Sequence, residues 1–228
     1  ILYITYKKKI SNNYINNILN LIMKNFNKGI IAASLGSFWW GVLGTYYFKY
    51  ISYVGTLEVV IHRSLWTALI LLFTTFFYSK WKLLIPIIKN KKKMFVLLIT
   101  SILIFSNWSV WIYAISTNRI IDASLGYFIF PIISVFFGFL FFKEKLNKRR
   151  IISISLVTIS ILYLIINFKS LPWIGITVAL LWSIYNLLRK KINVETDLGL
   201  LIESLFILPI VIIIFYFLIK NNLNHFSF

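Results

Sequence analysis

The sequence predicts an all-α membrane protein that crosses the lipid bilayer repeatedly. Hydrophobic residues make up 60% of its 228 positions and gather in seven long stretches. A hydrocarbon core about 30 Å thick needs roughly 20 helical residues, which is close to the length of these stretches. They are apolar on every face, whereas the strands of a transmembrane barrel alternate apolar and polar residues. Helices are therefore predicted, because lipid offers no partner for unpaired backbone amides.

The predicted spans follow one another with short connections. Five contain no charged residue, and the seventh contains only Glu203. The second span is predicted to start near Val59, which places His62 and Arg63 one turn inside the interface. The seven spans are residues 30–48, 59–78, 94–118, 123–142, 151–168, 170–188 and 198–219.

The distribution of Lys and Arg predicts the orientation of the chain. With a cytoplasmic N-terminus, the inner segments hold 19 basic residues and the outer segments hold 5. This excess is the one expected for cytoplasmic loops of a plasma-membrane protein. The predicted inner segments are residues 1–28, 79–93, 143–150 and 189–197.

The composition excludes several classes of function. The net charge of +18 lies in short loops beside spans, where it faces anionic lipid, so nucleic acid is not a predicted partner. The chain has no Cys and two His, and it lacks both metal-ligand spacing and a phosphate-binding glycine loop. The sequence therefore predicts no enzymatic activity, no metal site and no cofactor.

The N-terminal segment is interpreted separately from the spans. Residues 1–28 form a leader or cytoplasmic tail in which the first Met is Met23, directly before the first span. We expect Met23 to be the true start. The alternative is that residues 1–22 form an amphipathic interfacial helix.

Two parts of the chain repeat each other. Residues 40–49 resemble residues 182–191, and residues 57–64 resemble residues 198–204 after a one-residue gap. The repeat unit is five spans, an odd number, so the two copies must be inverted, as in many secondary transporters. This arrangement predicts ten spans, of which seven are present: a first repeat at 29–168 and a partial second repeat at 169–228.

Several motifs resemble the EamA family of drug/metabolite transporters, in particular its RarD-like branch. The most specific is the Ala-Ser-Leu-Gly-Tyr-Phe run at 123–128, beside the His-Arg pair at 62–63. Phe130 departs from the pattern, because RarD-like members usually carry Asn before the proline that is Pro131 here. The stretches that carry the resemblance are residues 40–49, 58–66, 107–111, 123–131, 143–145, 170–172 and 188–192.

The resemblance implies a secondary transporter, an exporter or permease for small organic solutes such as amino acids, metabolites or drugs, in the bacterial plasma (inner) membrane. The predicted partners are therefore a small organic solute and the lipid bilayer. The alternative is a truncated, non-transporting remnant, or a half-carrier whose missing helices come from a second copy or another chain.

Charged residues within spans are the first candidates for the transport path, because lipid makes them costly. Glu203 lies about 8 Å along the seventh helix, and its repeat partner is His62. One hypothesis makes Glu203 a proton-coupling carboxylate and His62–Arg63 an anion-facing pair. The alternative pairs Glu203 with Lys190 or Lys191 and extends Arg63 towards the headgroups.

Amides and aromatic rings are the second group of candidates. Asn107 and Trp111 share one face of the third helix, and Trp182 and Asn186 repeat that spacing on the sixth. They are predicted to line a cavity together with Trp40 and Tyr127. The alternative is that the rings pack in the core and the amides bond neighbouring helices.

Small residues predict where helices approach each other closely. Gly175, Ala179 and Ser183 recur every four residues on the sixth span, as Ser134 and Gly138 do on the fourth. Pro131 is expected to kink the fourth span. The segment 143–145 is expected to be a solvated inner cap.

Overall fold

The computed structural model describes residues 26–168 and 172–225, and in these ranges the chain is helical without strands. The predicted all-α class is thus confirmed for the described residues. The predictions for residues 1–22 and for a start at Met23 lie outside them. The described residues divide into two compact units, the first up to residue 50 and the second from residue 51.

The described part of the first unit is one helical run. Helix α1 covers residues 26–38, a π-helical segment follows at Trp39–Gly44, and α2 covers Thr45–Tyr50. The run covers the predicted span at 30–48. Its π segment contains two glycines, and such π turns occur mostly as short interruptions within helices.

The second unit contains seven helices. They are α3 (Thr56–Phe77), α4 (Trp81–Lys89), α5 (Lys91–Ser116), α6 (Ile120–Phe142), α7 (Lys148–Phe168), α8 (Trp173–Ile192) and α9 (Thr196–Lys220). Within the described ranges, α3, α5, α6, α7 and α9 are long and apolar enough to cross a membrane. The protein is therefore a multi-pass membrane protein.

The sequence predicts seven spans, whereas the length and composition of the described helices support five. Helix α8 is long enough at 20 residues, but its last turn is Arg189, Lys190 and Lys191, which lowers its apolar content. In the first unit the π segment divides the helical run. The seven-span count and the inverted repeat remain predictions.

Helix α4 lies within residues 79–93, for which the sequence predicts an inner loop. It is a nine-residue helix that starts with Trp81 and contains Pro86. Leu84 and Ile87 are buried against Leu97 of α5 and against the first turns of α9. This short helix therefore covers one end of the second unit.

Helices α3 and α9 pack side by side in opposite directions. At one end, Glu58 of α3 accepts hydrogen bonds from His225, which follows α9. At the other end, Lys80, which follows α3, pairs with Asp197 in the first turn of α9 and with Glu195 at 3.2 Å. Ile61, Ile207 and Val211 form a buried cluster between the two helices.

Three of the predicted inner segments meet at one end of the second unit, which we call the basic end. There Lys80 contacts Glu195, and Glu144 contacts Lys190. The structure thus places residues 79–93, 143–150 and 189–197 together, as the distribution of charge predicts.

Helix α8 packs between α5 and α6. Its crossing with α6 depends on two glycines. A Cβ on Gly175 would lie 2.4 Å from the Asp122 carbonyl oxygen and 3.0 Å from the Gly126 nitrogen. The close approach predicted for Gly175 is confirmed, and its partner is Gly126. Helix α6 continues through Pro131 to Phe142.

Candidate functional site

A carboxylate lies fully buried where α5, α8 and α9 meet. The Glu203 side chain has 0% exposure. Thr100 of α5 donates its hydroxyl to Oε1 at 2.6 Å, and Tyr185 of α8 donates to Oε2 at 3.1 Å. A carboxylate removed from water needs such donors, because its desolvation is otherwise very costly. Glu203 therefore joins three helices through its two oxygens.

Arg189 is the cation that accompanies Glu203. Its Nε lies 3.7 Å from Glu203 Oε1, and its side chain is 9% exposed. The expectation that Lys190 or Lys191 would pair with Glu203 is wrong. Because residues three or four apart share a helix face, Arg189 lies on the same face as Tyr185, whereas Lys190 is turned away.

Gly199 makes room for this arginine. A Cβ at position 199 would lie 1.7 Å from Arg189 Nη1, so the guanidinium occupies the space that any side chain would fill. Arg189 Nη2 also donates to the Glu195 carbonyl at 3.2 Å and the Thr196 carbonyl at 3.4 Å. We call Thr100, Tyr185, Arg189 and Glu203 the buried charge cluster.

A cavity of about 660 Å³ lies between α6, α7 and α8. Below its mouth the lining is polar at four places: the hydroxyls of Ser134, Ser153 and Ser183 and the amide of Asn186. Ser183 is 1% exposed. Within the described ranges, neither the Ser134 nor the Ser183 hydroxyl has a hydrogen-bond partner. The remaining deep wall is mostly apolar and includes Phe130 and Pro131.

The mouth of the cavity lies at the basic end and is strongly charged. Asn147, Arg149 and Arg150 at the start of α7 line it, together with Glu144 and Lys190. Lys190 donates to Glu144 Oε1 at 2.6 Å, and Arg150 lies 3.9 Å from Oε2. The hydrogen bond from Lys190 and the charges of Lys190 and Arg150 lower the pKa of Glu144.

Residues 143–145 follow α6 at the basic end, as expected of an inner cap, and Glu144 also lines the mouth of the cavity. Lys143 ends α6 in the left-handed conformation, with a φ of 53°. The chain then turns back, and the Glu144 carboxylate lies over Gly138, where a Cβ would meet Oε2 at 3.1 Å. The absence of a side chain at Gly138 thus leaves room for the Glu144 carboxylate at the mouth of the cavity.

Helix α8 connects the cavity with the buried charge cluster. Tyr185 and Arg189 belong to the buried charge cluster, whereas Ser183 and Asn186 line the cavity. Trp182 stacks on Tyr185 with ring centroids 5.3 Å apart. A rotation or shift of α8 would therefore change both sites together.

The predicted amide and ring pairs have different positions. Asn107 is 7% exposed and donates to the Val178 carbonyl of α8 at 3.1 Å. This is the alternative in which the amide bonds a neighbouring helix. Trp111 is also buried, with 6% exposure. Asn186 donates to the Trp182 carbonyl at 2.7 Å and also lines the cavity. Of the predicted path residues, Asn186 alone belongs to this cavity as described.

The other candidates lie on α3 and α6 and in the first unit. The His62 ring packs edge-on against the Phe215 ring, with centroids 5.4 Å apart. The Arg63 guanidinium of α3 lies 4.2 Å from the centre of the Trp108 ring of α5, which is a cation–π contact. Arg63 thus contacts a neighbouring helix and does not extend towards the headgroups. Tyr127 is 44% exposed on α6. Trp40 belongs to the first unit, in its π segment.

Sequence reasoning missed Thr100, Tyr185 and Arg189. Thr100 and Tyr185 resemble ordinary span residues, and their role depends on which helices meet at Glu203. Arg189 had a usable signal, because it lies four residues after Tyr185 and ten before Gly199 in a short hairpin. Ser134 and Ser183 were noted only as small residues.

The ion pair at the mouth predicts a pH dependence of stability. Because the folded-state pKa of Glu144 is lowered, the pair stabilises the fold above the usual Glu pKa of about 4.3 and loses that contribution as pH falls through the lower value. Glu144→Gln should therefore lower the melting temperature at neutral pH, and the difference from the wild type should shrink on acidification. Thermal unfolding in detergent across pH measures this, and a difference independent of pH would contradict it.

Comparison with known proteins identifies a matching family and several similar proteins. The model of the EamA-like transporter family matches residues 27–166. An uncharacterized transporter of Vibrio cholerae is 35% identical over 182 residues, which are 80% of this chain and 60% of that protein. Protein RarD of Escherichia coli is 31% identical over 202 residues, 89% of this chain and 68% of that protein. The chain thus spans about three fifths to two thirds of these relatives. No solved structure gives a significant match.

Proposed function

The chain belongs to the EamA-like transporter family, and from that premise we propose that it is a RarD-like secondary transporter of small organic solutes. We place it in the bacterial plasma membrane with a cytoplasmic N-terminus, on the strength of the excess of basic residues in the predicted inner segments. In this orientation the basic end faces the cytoplasm. The mouth of the cavity then opens towards cytoplasmic solutes.

The cavity between α6, α7 and α8 carries the proposal. Ligand sites commonly measure about 300–1,000 Å³ and combine apolar walls with a few polar groups. A cavity of about 660 Å³ whose lining below the mouth has three serine hydroxyls and one amide fits that description. A transporter needs its site within the membrane, between helices that move relative to each other.

The translocation path is proposed to include Asn186 in the cavity wall. Trp40, His62, Arg63, Asn107, Trp111, Tyr127 and Trp182 keep their proposed role in the path of the working carrier. The contact of Asn107 with Val178 and that of Arg63 with Trp108 also support packing. Substitutions there need a folding control before any loss of transport is assigned to solute binding.

We propose that Glu203 couples transport to protons through α8. It is fully buried, and its partners Tyr185 and Arg189 share α8 with the cavity residues. Protonation of the carboxylate would weaken its pairing with Arg189 and favour a shift of that helix.

Glu203→Gln is therefore expected to abolish the response of solute flux to an imposed pH gradient, because an amide has no titratable proton, while solute counterflow continues. Proteoliposome flux with and without the gradient measures the effect. Glu195→Gln serves as the control, since the Glu195 side chain is exposed, pairs with Lys80 and lies outside both the cavity and the buried charge cluster. Gradient-driven flux that is unchanged in Glu203→Gln would remove the coupling role.

Counterflow with the purified chain in proteoliposomes tests transport itself. The vesicles are loaded with an unlabelled amino acid, aromatic acid or neutral aromatic compound, and uptake of the labelled compound is followed. Accumulation above protein-free vesicles supports a carrier. Absence of uptake for every compound, with protein shown to be folded by its melting transition, contradicts the proposal.

A further inference from the structure

We propose that the cavity between α6, α7 and α8 binds organic anions that carry an apolar or aromatic body. This inference rests on the proposed function and deepens it, because it specifies the chemical class of the solute. Three properties of the cavity support it: the charge of its mouth, the polar atoms at its depth and the composition of its walls.

The mouth carries an excess of positive charge. Arg149, Arg150 and Lys190 line it, and Glu144 is the carboxylate among the lining residues. Glu144 is engaged by Lys190 at 2.6 Å and lies 3.9 Å from Arg150. The side chain of Arg149 forms no ion pair within the described ranges. A guanidinium in this position offers paired donors to a carboxylate or phosphate.

The hydroxyls at the depth of the cavity have unused hydrogen-bonding capacity. Ser183 lies seven residues before Lys190 on α8, so it is about 10 Å deeper than the mouth at 1.5 Å per residue. Its hydroxyl is buried and has no hydrogen-bond partner within the part of the chain that the structure describes. Buried polar groups usually have a partner. A solute whose far end reaches this depth would give the hydroxyls of Ser183 and Ser134 the partner that they lack.

Apart from Ser153 and Asn186, the walls between mouth and depth are apolar and rich in aromatic rings. Phe130, Phe137 and Phe142 line the cavity together with Pro131 and Val157. Phe130, directly before Pro131, contributes an aromatic ring to this wall. Rings that contact one another edge-on or offset gain affinity beyond simple burial, which favours an aromatic solute.

Anionic lipid has the same chemistry, because its headgroup joins a negative charge to an apolar body. The two sources differ in how the anion arrives: a solute comes from water, whereas a headgroup comes from the surrounding bilayer. Nanodiscs of pure phosphatidylcholine and nanodiscs that also contain phosphatidylglycerol separate them.

The test measures binding of radiolabelled phenylacetate to the purified chain in these nanodiscs. The double variant Arg149→Gln/Arg150→Gln should bind about tenfold more weakly, because charged hydrogen bonds are lost. Ser183→Ala should bind about threefold more weakly through loss of one neutral bond. Lys148→Gln is the matched control, since Lys148 starts α7 beside these arginines but is absent from the lining.

Phenylacetamide, which has the same ring without the charge, should compete about tenfold less well. One outcome is that phosphatidylglycerol in the nanodiscs lowers phenylacetate binding by the wild type while leaving the weaker binding by the arginine double variant unchanged. In that case the anion that the arginines hold in a bilayer is a lipid headgroup. If phosphatidylglycerol has no effect, the anion is a soluble solute. Equal binding by the wild type and the arginine variant, equal competition by phenylacetamide, or no binding by the wild type would overturn the inference.

The same preparations distinguish failure of this inference from failure of the proposed function. Counterflow of a neutral aromatic compound without phenylacetate binding would leave the transporter in place and remove the anion site. Arginine-dependent phenylacetate binding without flux of any compound would retain the anion site and remove transport.

Discussion

Replacing Arg189 with methionine is expected to destabilise the folded protein by about 3–5 kcal/mol, because it leaves the Glu203 carboxylate buried without its cation. The side chain of Glu203 is 0% exposed and that of Arg189 is 9% exposed, so water cannot replace the lost partner. Unfolding in mixed micelles with increasing sodium dodecyl sulfate measures the loss.

A second substitution separates charge from packing. Arg189→Met combined with Glu203→Met should recover most of the lost stability, since a buried ion pair replaced by apolar residues of similar volume is often neutral. Lys191→Met is the matched control. Lys191 lies 4.8 Å from the Phe141 ring and is exposed, so its loss should cost less than about 1 kcal/mol. A double variant no more stable than Arg189→Met alone would contradict the assignment of the pair.

Gly175→Ala is expected to lower stability by about 2 kcal/mol, because overpacking a close contact costs about 1–3 kcal/mol and sometimes more. The added Cβ would lie 2.4 Å from the Asp122 carbonyl oxygen, a backbone atom that cannot rotate away. Helix propensity would favour alanine over glycine by about 1 kcal/mol, so the contact must outweigh that gain. The same unfolding assay measures the difference.

Gly55→Ala provides the comparison for this glycine. A Cβ at Gly55 meets no atom within 4 Å, and its φ of −57° suits alanine. Its effect should stay within about 0.5 kcal/mol. Because α6 and α8 also border the cavity, Gly175→Ala should weaken phenylacetate binding, whereas Gly55→Ala should not. Equal stability of both variants would show that α6 and α8 do not cross at this glycine.

Much of the helical framework was predictable because apolar length is a local property. The span predicted at 94–118 corresponds to Lys91–Ser116, and that at 198–219 corresponds to Thr196–Lys220. The family was predictable from contiguous motifs such as residues 123–128. Helix α4 was not, because its nine residues lie within a Lys-rich segment that resembles a loop.

The local sequence also showed that Glu203 requires compensation, since a carboxylate in a span is costly wherever the helices lie. Three consecutive cations follow Leu188, and their order does not reveal which one reaches the carboxylate. The rotation of α8 about its axis and the space left by Gly199 select Arg189 and turn Lys190 towards Glu144. Composition thus determined a multi-pass helical membrane protein with a buried acid, whereas the packing of α8 between its neighbours decided the partners of that acid and the cavity beside it. Those choices depend on contacts between residues distant in the chain, which local periodicity does not encode.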